Sequence, residues 1–505
     1  MSAAPHPTRG GGSIASPHPD YEVVIGLEVH AQLRTRSKLF SPAPVSYGQA
    51  PNHSVHPVCL ALPGVLPVLN RRAVDLAIRA AVATHCTVHP HSVFARKNYF
   101  YPDLPKGYQI SQYEEPIATD GWLDVSVPEG EDVRVVRVRL HRIHMEEDAG
   151  KSIHDPAVVG SDATHVDLNR AGVPLLEIVT EPDLRSPAEA VAYLRTLRSV
   201  LRYVDVSDAD MERGNFRCDA NISLRPHGAE ALGTRTELKN LNSFRFIEAA
   251  IEAEIERQAD VLDSGGRVQQ ATMAFDPASG RTRVLRLKEN ADDYRYFPDP
   301  DLAPLVISSD VIESVRSALP ELAEERCERF QRDFELAERD ARSLTESRAL
   351  ADFFEAAARE HGAGRSVANW ILRDLLRALK AREIDVDESG VSPQAFARLI
   401  ALVDEGVTTV KAARELVPHL VENGGDPEAL IRERGLETVS DTDRIGRAVD
   451  EVIAAPPADV ESYRGGEKKV LNFLMGRVMQ RMGGKADPAA TRALLAHRLD
   501  GEEGE

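Results

Sequence analysis

The sequence has little cysteine and no long apolar run. Four of its 505 residues are cysteines, and their scattered positions suit a reducing cytoplasmic compartment rather than a disulfide-linked scaffold. No uninterrupted apolar segment reaches the ~18 residues of a transmembrane helix, so no membrane span is expected. Residues 1–20 lack the apolar core of a signal peptide. They are rich in Pro, Gly, Ser and His and are predicted to be a flexible tail.

The chain also lacks net positive charge. Its formal charge of −19 argues against a protein that binds nucleic acid through overall charge, although a local basic surface stays possible. The sequence contains no dinucleotide-binding fingerprint, kinase signature or nucleophile elbow. A length of 505 residues predicts about two to three domains.

One stretch alternates strictly between apolar and polar residues. Across 216–225 every second side chain is apolar, and the others include Arg217, Asp219 and Asn221. This period predicts a strand with one packed and one open face. Its polar groups, with Glu212 just upstream, indicate one wall of a polar site. A solvated edge strand is the alternative.

Two further strands carry a similar polar face. Glu28 and His30 project the same way from a strand, ~6–7 Å apart, which suits the ligands of one metal or of a two-metal centre. Another strand ends in Glu146, Glu147 and Asp148. These carboxylates repel each other unless a cation lies among them, which favours a magnesium site. An amphipathic strand and a solvated turn are the respective alternatives.

Glu177 and several basic residues complete the candidates. Glu177 lies in the short apolar run 175–179, where a buried charge usually has a partner or a metal. The aromatic and basic stretch 96–108 includes Lys97 and either contacts a base and phosphates or forms a core strand. Lys239 precedes a predicted helix, a common position for phosphate contacts.

A weak zinc pattern is also present. His56 and Cys59 are followed by Cys86 and His89, and two such pairs of ligands could hold Zn²⁺. A predicted helix at 71–84 separates the pairs, and a free cysteine often simply fills a core. Structural zinc is therefore the less favoured interpretation.

After residue 299 the pattern changes to helices. Helices are predicted in segments 311–340, 344–361, 365–382 and 392–404, and in a further region from 431 to 499. From residue 464 to 498, eight basic residues accompany two acidic ones. This local excess of +6 predicts contact with a polyanion, with a solvated helix face as the alternative.

Many carboxylates with one histidine and several basic groups suit Mg²⁺-dependent phosphoryl transfer, because cations neutralise a triphosphate and its transition state. Six motifs then follow one another along the chain: Gly26-Leu-Glu-Val-His30, Arg96-Lys-Asn-Tyr-Phe-Tyr-Pro-Asp103, His144-Met-Glu-Glu-Asp-Ala-Gly-Lys151, Asp167-Leu-Asn-Arg170, Arg217-Cys-Asp-Ala-Asn221 and Glu237-Leu-Lys-Asn-Leu-Asn-Ser243. Together they resemble the B subunits of the bacterial aspartyl/glutamyl-tRNA amidotransferases, the GatB/GatE family.

The resemblance implies an α+β fold in several parts. Residues 1–20 would be a tail, 21–298 a glutamine-synthetase-like catalytic cradle domain, 299–430 an all-α helical domain and 431–505 a small α-helical YqeY-like tail domain. The implied enzyme is a carbon–nitrogen ligase that uses ATP and Mg²⁺. It phosphorylates the side chain of Glu on tRNA(Gln) or Asp on tRNA(Asn), and ammonia then displaces phosphate.

The resemblance also implies partners. Ammonia would reach this chain through a channel from the glutaminase, which is the A subunit of such enzymes, and the C subunit would complete a heterotrimer.

Two rival functions are a stand-alone ligase that makes a small-molecule amide and a non-catalytic tRNA-binding subunit.

The same resemblance assigns roles to residues. Metal ligands would be Glu28, His30 and Glu147. Catalytic residues, as further ligands or orienting groups, would be Glu146, Glu177, Glu212 and Asp219. ATP-binding residues would be Lys97, Arg217, Lys239 and Asn221. Contacts to tRNA would come from Lys468, Lys469, Arg477, Arg481 and Lys485. One departure concerns zinc, since His56 stands where many family members have a cysteine.

Overall fold

The computed structural model describes residues 18–130, 132–153, 163–287, 294–438, 442–454, 457–483 and 485–500. Most of the predicted tail at 1–20 falls outside these ranges. The chain divides into two compact units, Met1–Leu322 and Ala323–Glu505. No helix in the described ranges is long and apolar enough to cross a membrane.

Sixteen strands lie in the described part of the first unit. They are β1 (Tyr21–Gln32), β2 (Thr87–Val88), β3 (His91–Ser92), β4 (Ala95–Asn98), β5 (Tyr108–Ser111), β6 (Ala118–Glu129), β7 (Asp132–Glu147), β8 (Lys151–Ile153), β9 (His165–Asp167), β10 (Pro174–Thr180), β11 (Phe216–Pro226), β12 (Thr236–Leu241), β13 (Ala271–Asp276), β14 (Arg281–Leu287), β15 (Phe297–Pro298) and β16 (Leu305–Val306). Nine of them form one sheet in the order β14-β13-β12-β11-β1-β10-β7-β6-β2. Its pairs are antiparallel except for β12 with β13.

Helices cover the apolar face of this sheet. The described helices of the first unit are α1 (Arg71–Ala83), α2 (Pro187–Tyr203), α3 (Phe244–Asp263) and α4 (Ser309–Ser317). In β1 the alternate residues Val23, Ile25, Leu27 and Val29 are fully buried in the same core as the apolar stripes of α2 and α3. Burial of this face leaves the polar side chains of β1 on the opposite face, as the period of two requires.

The first unit extends beyond the predicted boundary at residue 298. Strand β15 pairs with β4, and β16 pairs with β3. Val315 and Leu322 also pack against the core of the first unit. These contacts tie the segment after residue 298 to the sheet domain.

The second unit is helical in its described part, apart from a bridge between Thr408 and Glu437. Its helices are α5 (Ala323–Phe334), α6 (Glu338–Leu344), α7 (Arg348–His361), α8 (Gly364–Trp370), a π-helix (Ile371–Leu375), α9 (Leu376–Arg382), a 3₁₀ helix (Val386–Glu388), α10 (Pro393–Asp404), α11 (Val410–Asn423), α12 (Pro427–Glu433), α13 (Thr442–Ile453), α14 (Pro457–Arg464), α15 (Val470–Arg481) and α16 (Pro488–Asp500). One core collects residues between Cys327 and Ile431, and another collects residues between Ile445 and Leu499.

Two helix predictions differ from the structure. The predicted helical segment 311–340 is divided among three helices, because Pro320 cannot continue a helix and Glu335 adopts a left-handed φ of 51°. Helix α11 was not predicted. It contains Pro418, a residue that normally signals a helix end.

Glu254 on α3 is a fully buried carboxylate that joins the helix to the sheet. It accepts hydrogen bonds from Thr236 on β12 at 2.7 Å, from Thr282 on β14 at 2.8 Å and from Arg257 at 2.6 Å. Burial raises the pKa of Glu254, but the bonds from Arg257 and Thr236 outweigh burial and lower it. The ionised form therefore stabilises the fold.

We predict that Glu254→Gln lowers the free energy of unfolding by about 2 kcal/mol at neutral pH. Because the folded-state pKa is depressed, this stabilisation is complete above the ordinary carboxyl pKa of 4.5 and is lost as pH falls through the folded value. Calorimetry over a pH series measures the difference. Glu256→Gln, at an exposed position of α3, is the control. The prediction is contradicted if the free energies of unfolding of Glu254→Gln and wild type differ by as much in acid as at neutral pH.

Candidate active site

Neighbouring strands bring the predicted polar residues side by side. In the antiparallel register of β1 and β11, Glu28 lies opposite Asp219, and His30 lies opposite Arg217. On the other edge of β1, His30 lies opposite Glu177 of β10. Opposite residues of antiparallel strands point to the same face. The polar stretches therefore form one continuous surface of the sheet.

The first group of side chains, here called the histidine cluster, consists of His30, Glu146 and Glu177. His30 Nε2 lies 3.4 Å from Glu177 Oε2 and 3.6 Å from Glu146 Oε1. His144 Nε2 lies 3.3 Å from Glu177 Oε2 on the far side of β10. The ligand atoms of the cluster all lie within 4.8 Å of one another, so they can hold one cation.

Opposite charges set the protonation of the histidine cluster. Burial lowers the pKa of His30, but its hydrogen bond to Glu177 and the charges of Glu177 and Glu146 raise it to about 9. Burial raises the pKa of Glu177, but His144 and His30 hold it well below its usual range. Burial, followed by the charge of Glu177, raises the pKa of Glu146. At neutral pH the cluster thus carries a proton on His30 and a negative charge on Glu177.

The second group, here called the acidic cluster, consists of Glu28, Asp219 and Glu237. Its carboxylate oxygens also lie within 4.8 Å of one another. Asn221 Nδ2 donates to Glu28 Oε1 at 2.9 Å, and Lys239 Nζ donates to Asp219 Oδ2 at 2.6 Å. Burial raises the pKa of Glu28, and the charges of Glu177, Glu237 and Asp219 raise it further.

The donor atoms of the acidic cluster suit Mg²⁺. This ion prefers carboxylate, carbonyl and water oxygens, and the cluster offers three carboxylates. Asn221 Oδ1 is buried and has no hydrogen-bond partner within the described ranges, so it adds an oxygen in need of a donor or a cation. The imidazole of His30 makes the histidine cluster a less typical magnesium site.

Two predicted site residues lie elsewhere. Glu147 is the strand neighbour of Glu146, so its side chain points to the other face of β7, where it pairs with Lys106 and accepts from Ile110 N at 2.9 Å. The predicted grouping of Glu147 with Glu28 and His30 is therefore not formed. Glu212 lies in an exposed turn before β11 rather than on a strand.

Basic groups flank both clusters. Arg217 donates to Asp148 Oδ2 at 2.6 Å. Lys97 on β4 lies 4.9 Å from the ring centroid of Tyr294. Burial lowers the pKa of Lys97, but interaction with Tyr296 and the charges of Glu146 and Glu177 outweigh it and raise the pKa. Lys97 is thus electrostatically coupled to the histidine cluster.

Sequence reasoning assigned no role to Glu237 or His144. The sequence could have indicated both residues, because each lies two positions before a candidate site residue on the same strand and therefore on the same face. Glu237 shares a strand face with Lys239 on β12, and His144 shares one with Glu146 on β7.

The four zinc candidates do not come together. Cys59 Sγ lies 3.6 Å from Lys38 Nζ, and Cys86 Sγ lies 3.4 Å from Thr84 Oγ1. His89 Nε2 contacts Thr119 Oγ1 at 3.0 Å. The backbone N–H of Val58 donates to His56 Nδ1 at 3.3 Å.

Of the residues predicted to contact tRNA, three form ion pairs with carboxylates of the described ranges and two do not. Lys468 lies 3.0 Å from Asp500, Arg477 lies 3.6 Å from Asp459, and Arg481 lies 2.5 Å from Glu451. Among the described residues, no carboxylate lies within 4.0 Å of Lys469 or Lys485. The positive charges of these two lysines are therefore not offset by a neighbouring carboxylate among the described residues.

We predict that Glu177→Gln lowers the pKa of His30 from about 9 toward the ordinary value of 6.5, because the nearest negative charge is lost. Histidine NMR titration of the metal-free chain measures this shift, with His30→Asn to assign the signal. Glu181→Gln, whose partner is His141, is the matched control and should leave His30 unchanged. If the pKa of His30 stays near 9 in Glu177→Gln, the charge of Glu177 is not what raises it, and the prediction is wrong.

Comparison with known proteins places the chain in a family. The GatB/GatE catalytic domain model matches residues 23–313, and the GatB domain model matches residues 352–499. The second match begins well before the predicted tail-domain start at residue 431. The chain is 53% identical over 479 residues to the B subunit of the aspartyl/glutamyl-tRNA(Asn/Gln) amidotransferase of Nitratidesulfovibrio vulgaris (strain DP4), covering 95% of this chain and 99% of the relative.

Two further relatives carry the same name. The protein of Moorella thermoacetica is 51% identical over 480 residues, covering 95% of this chain and 100% of the relative. The protein of Geobacter sulfurreducens is 49% identical over 482 residues, again covering 95% and 100%. The resemblance found from the six motifs is confirmed, and the chain belongs to the family of aspartyl/glutamyl-tRNA(Asn/Gln) amidotransferase B subunits.

Proposed function

We propose that this chain is the catalytic subunit of an ATP-dependent enzyme that amidates Glu-tRNA(Gln), Asp-tRNA(Asn) or both. The proposal is supported by the histidine and acidic clusters, whose ligand atoms lie close together on one sheet face, with Lys97, Arg217 and Lys239 beside them. Phosphoryl transfer needs such a combination, because the charges of ATP and its transition state must be neutralised. The names of the relatives support the substrate and the reaction.

The proposed reaction has two steps. A side-chain carboxylate oxygen of the misacylated residue attacks the γ-phosphorus of ATP, a new P–O bond forms, and ADP leaves. Ammonia then attacks the activated carbonyl carbon, a C–N bond forms, the C–O bond to phosphate breaks, and one proton is released. A carboxylate is a poor acyl donor, and phosphorylation supplies the good leaving group.

The residues divide these tasks. The acidic cluster with Asn221 would hold Mg²⁺, which when bound neutralises phosphate charge. Lys97, Arg217 and Lys239 would contact phosphate oxygens. Glu146, with its raised pKa, would accept the proton released as ammonia attacks.

Three other predicted residues fit the scheme differently. Glu177 would hold the His30 imidazolium in place, consistent with the 3.4 Å contact between them. Glu147 and Glu212 have no role in it, since one pairs with Lys106 and the other lies in an exposed turn.

We also propose the assembly that the relatives' name implies. A name that specifies a B subunit indicates an enzyme of several chains. We propose that a glutaminase, the A subunit, supplies ammonia through a channel and that the C subunit completes a heterotrimer. A glutamine-synthetase-like cradle is proposed for the first unit, because its largely antiparallel sheet carries rows of carboxylates on one face.

Glu28→Gln should reduce amidation at least about a hundredfold while leaving tRNA affinity nearly unchanged, because one metal ligand is lost and the chain's basic C-terminal residues are retained. The assay uses the purified complex with each misacylated tRNA in turn, and filter binding measures affinity. Asp124→Asn, in an exposed pair with Arg137, is the control.

Other outcomes favour the rival functions. Equal losses of amidation and tRNA binding would favour a tRNA-binding subunit without catalysis. Full ATP turnover on free glutamate without tRNA would favour a small-molecule ligase.

For the C-terminal helices we predict that Lys469→Ala weakens tRNA binding and reduces the slope of log K against log salt by about 1, the loss of one phosphate contact. Lys468→Ala is the matched control and should have the smaller effect, because Lys468 is already paired with Asp500 at 3.0 Å. The affinity is measured across a salt series. Equal slopes for Lys469→Ala and wild type would exclude this lysine from the interface.

A further inference from the structure

Lys239 is a cation within the acidic cluster. Its Nζ lies 2.6 Å from Asp219 Oδ2 and 3.4 Å from Glu237 Oε1, so it contacts two of the three carboxylates. Its side chain starts on β12, the strand that also carries Glu237. Because the side chain is about one-third exposed, its ammonium group has a path to solvent.

The ammonium alone does not neutralise the cluster. Three carboxylates face one ammonium group, and two further donors, the Asn221 amide to Glu28 and the Thr272 hydroxyl to Glu237, are uncharged. The buried Asn221 Oδ1 receives no hydrogen bond from the described residues, including Lys239. The cluster therefore offers Asn221 Oδ1 and three carboxylate groups, which are oxygen ligands that a divalent cation can bind.

Lys239 and a divalent cation would compete for the same oxygen. Mg²⁺ binds carboxylate oxygens at about 2.0–2.1 Å, and an ion bound to Asp219 Oδ2 would lie beside the ammonium that now contacts that atom. Two cations at that spacing repel each other strongly in a half-buried site. The flexible four-carbon stem of lysine lets the ammonium move without a change in the strand.

We propose that Lys239 is a built-in counter-ion that keeps the acidic cluster assembled before metal binds and leaves Asp219 when a divalent cation enters. The released ammonium is then available for the phosphate groups of the nucleotide, so cation entry and phosphate binding are coupled through one side chain. This inference rests on the proposed function only in that a divalent cation occupies the cluster.

The test measures cation binding in the full chain without nucleotide. Mn²⁺, detected by electron paramagnetic resonance, reports affinity, and thermal unfolding with and without Mg²⁺ reports stabilisation. Lys239→Met should bind Mn²⁺ at least about tenfold more tightly than wild type, because the competing charge is gone. It should also be less heat-stable without metal and gain more from Mg²⁺ than wild type does.

Two variants separate charge from other effects. Lys239→Arg keeps a cation and should bind Mn²⁺ about as weakly as wild type. Lys151→Met removes an exposed lysine at the start of β8 that has no carboxylate within 4.0 Å among the described residues, and it should not tighten binding. If Lys239→Met does not fold without metal, refolding in Mg²⁺ should recover it, and failure of that rescue overturns the proposal.

Equal or weaker Mn²⁺ binding by Lys239→Met overturns the proposal. Unchanged affinity in Asp219→Asn also overturns it, because the cation would then lie elsewhere. Failure of the proposed function is a separate result. In that case the complex would amidate no misacylated tRNA, while the order of Mn²⁺ affinities could still hold.

Discussion

Repulsion among carboxylates gathered on one sheet face is the constraint on which the site depends. Glu28, Glu146, Glu177, Asp219 and Glu237 make up the carboxylates of the histidine and acidic clusters, and two of them, Glu146 and Glu237, are buried. Such charges are tolerated only when protons, cations or hydrogen-bond donors compensate them. His30, His144 and Lys239 meet this need by direct contact, and the raised pKa of Glu28 and Glu146 is the remaining accommodation.

The same constraint explains why the site lies on a sheet. In an antiparallel pair of strands, the Cβ atoms of opposite residues lie about 5 Å apart. Short side chains from different strands can therefore bring their ligand atoms together. The reverse face of β1 is fully apolar and packs in the core with α2 and α3. Apolar burial on one face thus holds in place a polar face that would repel itself.

The helical unit carries its charges differently. The buried Glu355 pairs with the buried Arg326 and with the exposed Arg359, and several basic residues of the last helices pair with acidic ones. Its local excess of positive charge is therefore concentrated on few side chains, notably Lys469 and Lys485. A count of charges along the sequence does not show which of these basic residues are paired with carboxylates.

Local sequence was sufficient for a few of the strands, including the two that carry Glu28 and Asp219, and for the faces of those two. A period of two identified β1 and β11 and the polar side of each, and the resemblance of six motifs identified the family, because these signals lie between neighbours in the chain. Strand pairing, which joins Glu28 to Asp219 and His144 to Glu177, was decided only by the tertiary structure. It brought Glu237 and His144 into the site and left Glu212 in a turn, whereas the alternation along β7 itself turned Glu147 away from Glu146. It also placed Lys239 against Asp219, so Asp219 belongs to a cluster whose other carboxylates come from β1 and β12. The period of two in the sequence predicts which face of a strand a side chain lies on. Only the pairing of the strands determines which charged side chains lie next to each other on that face.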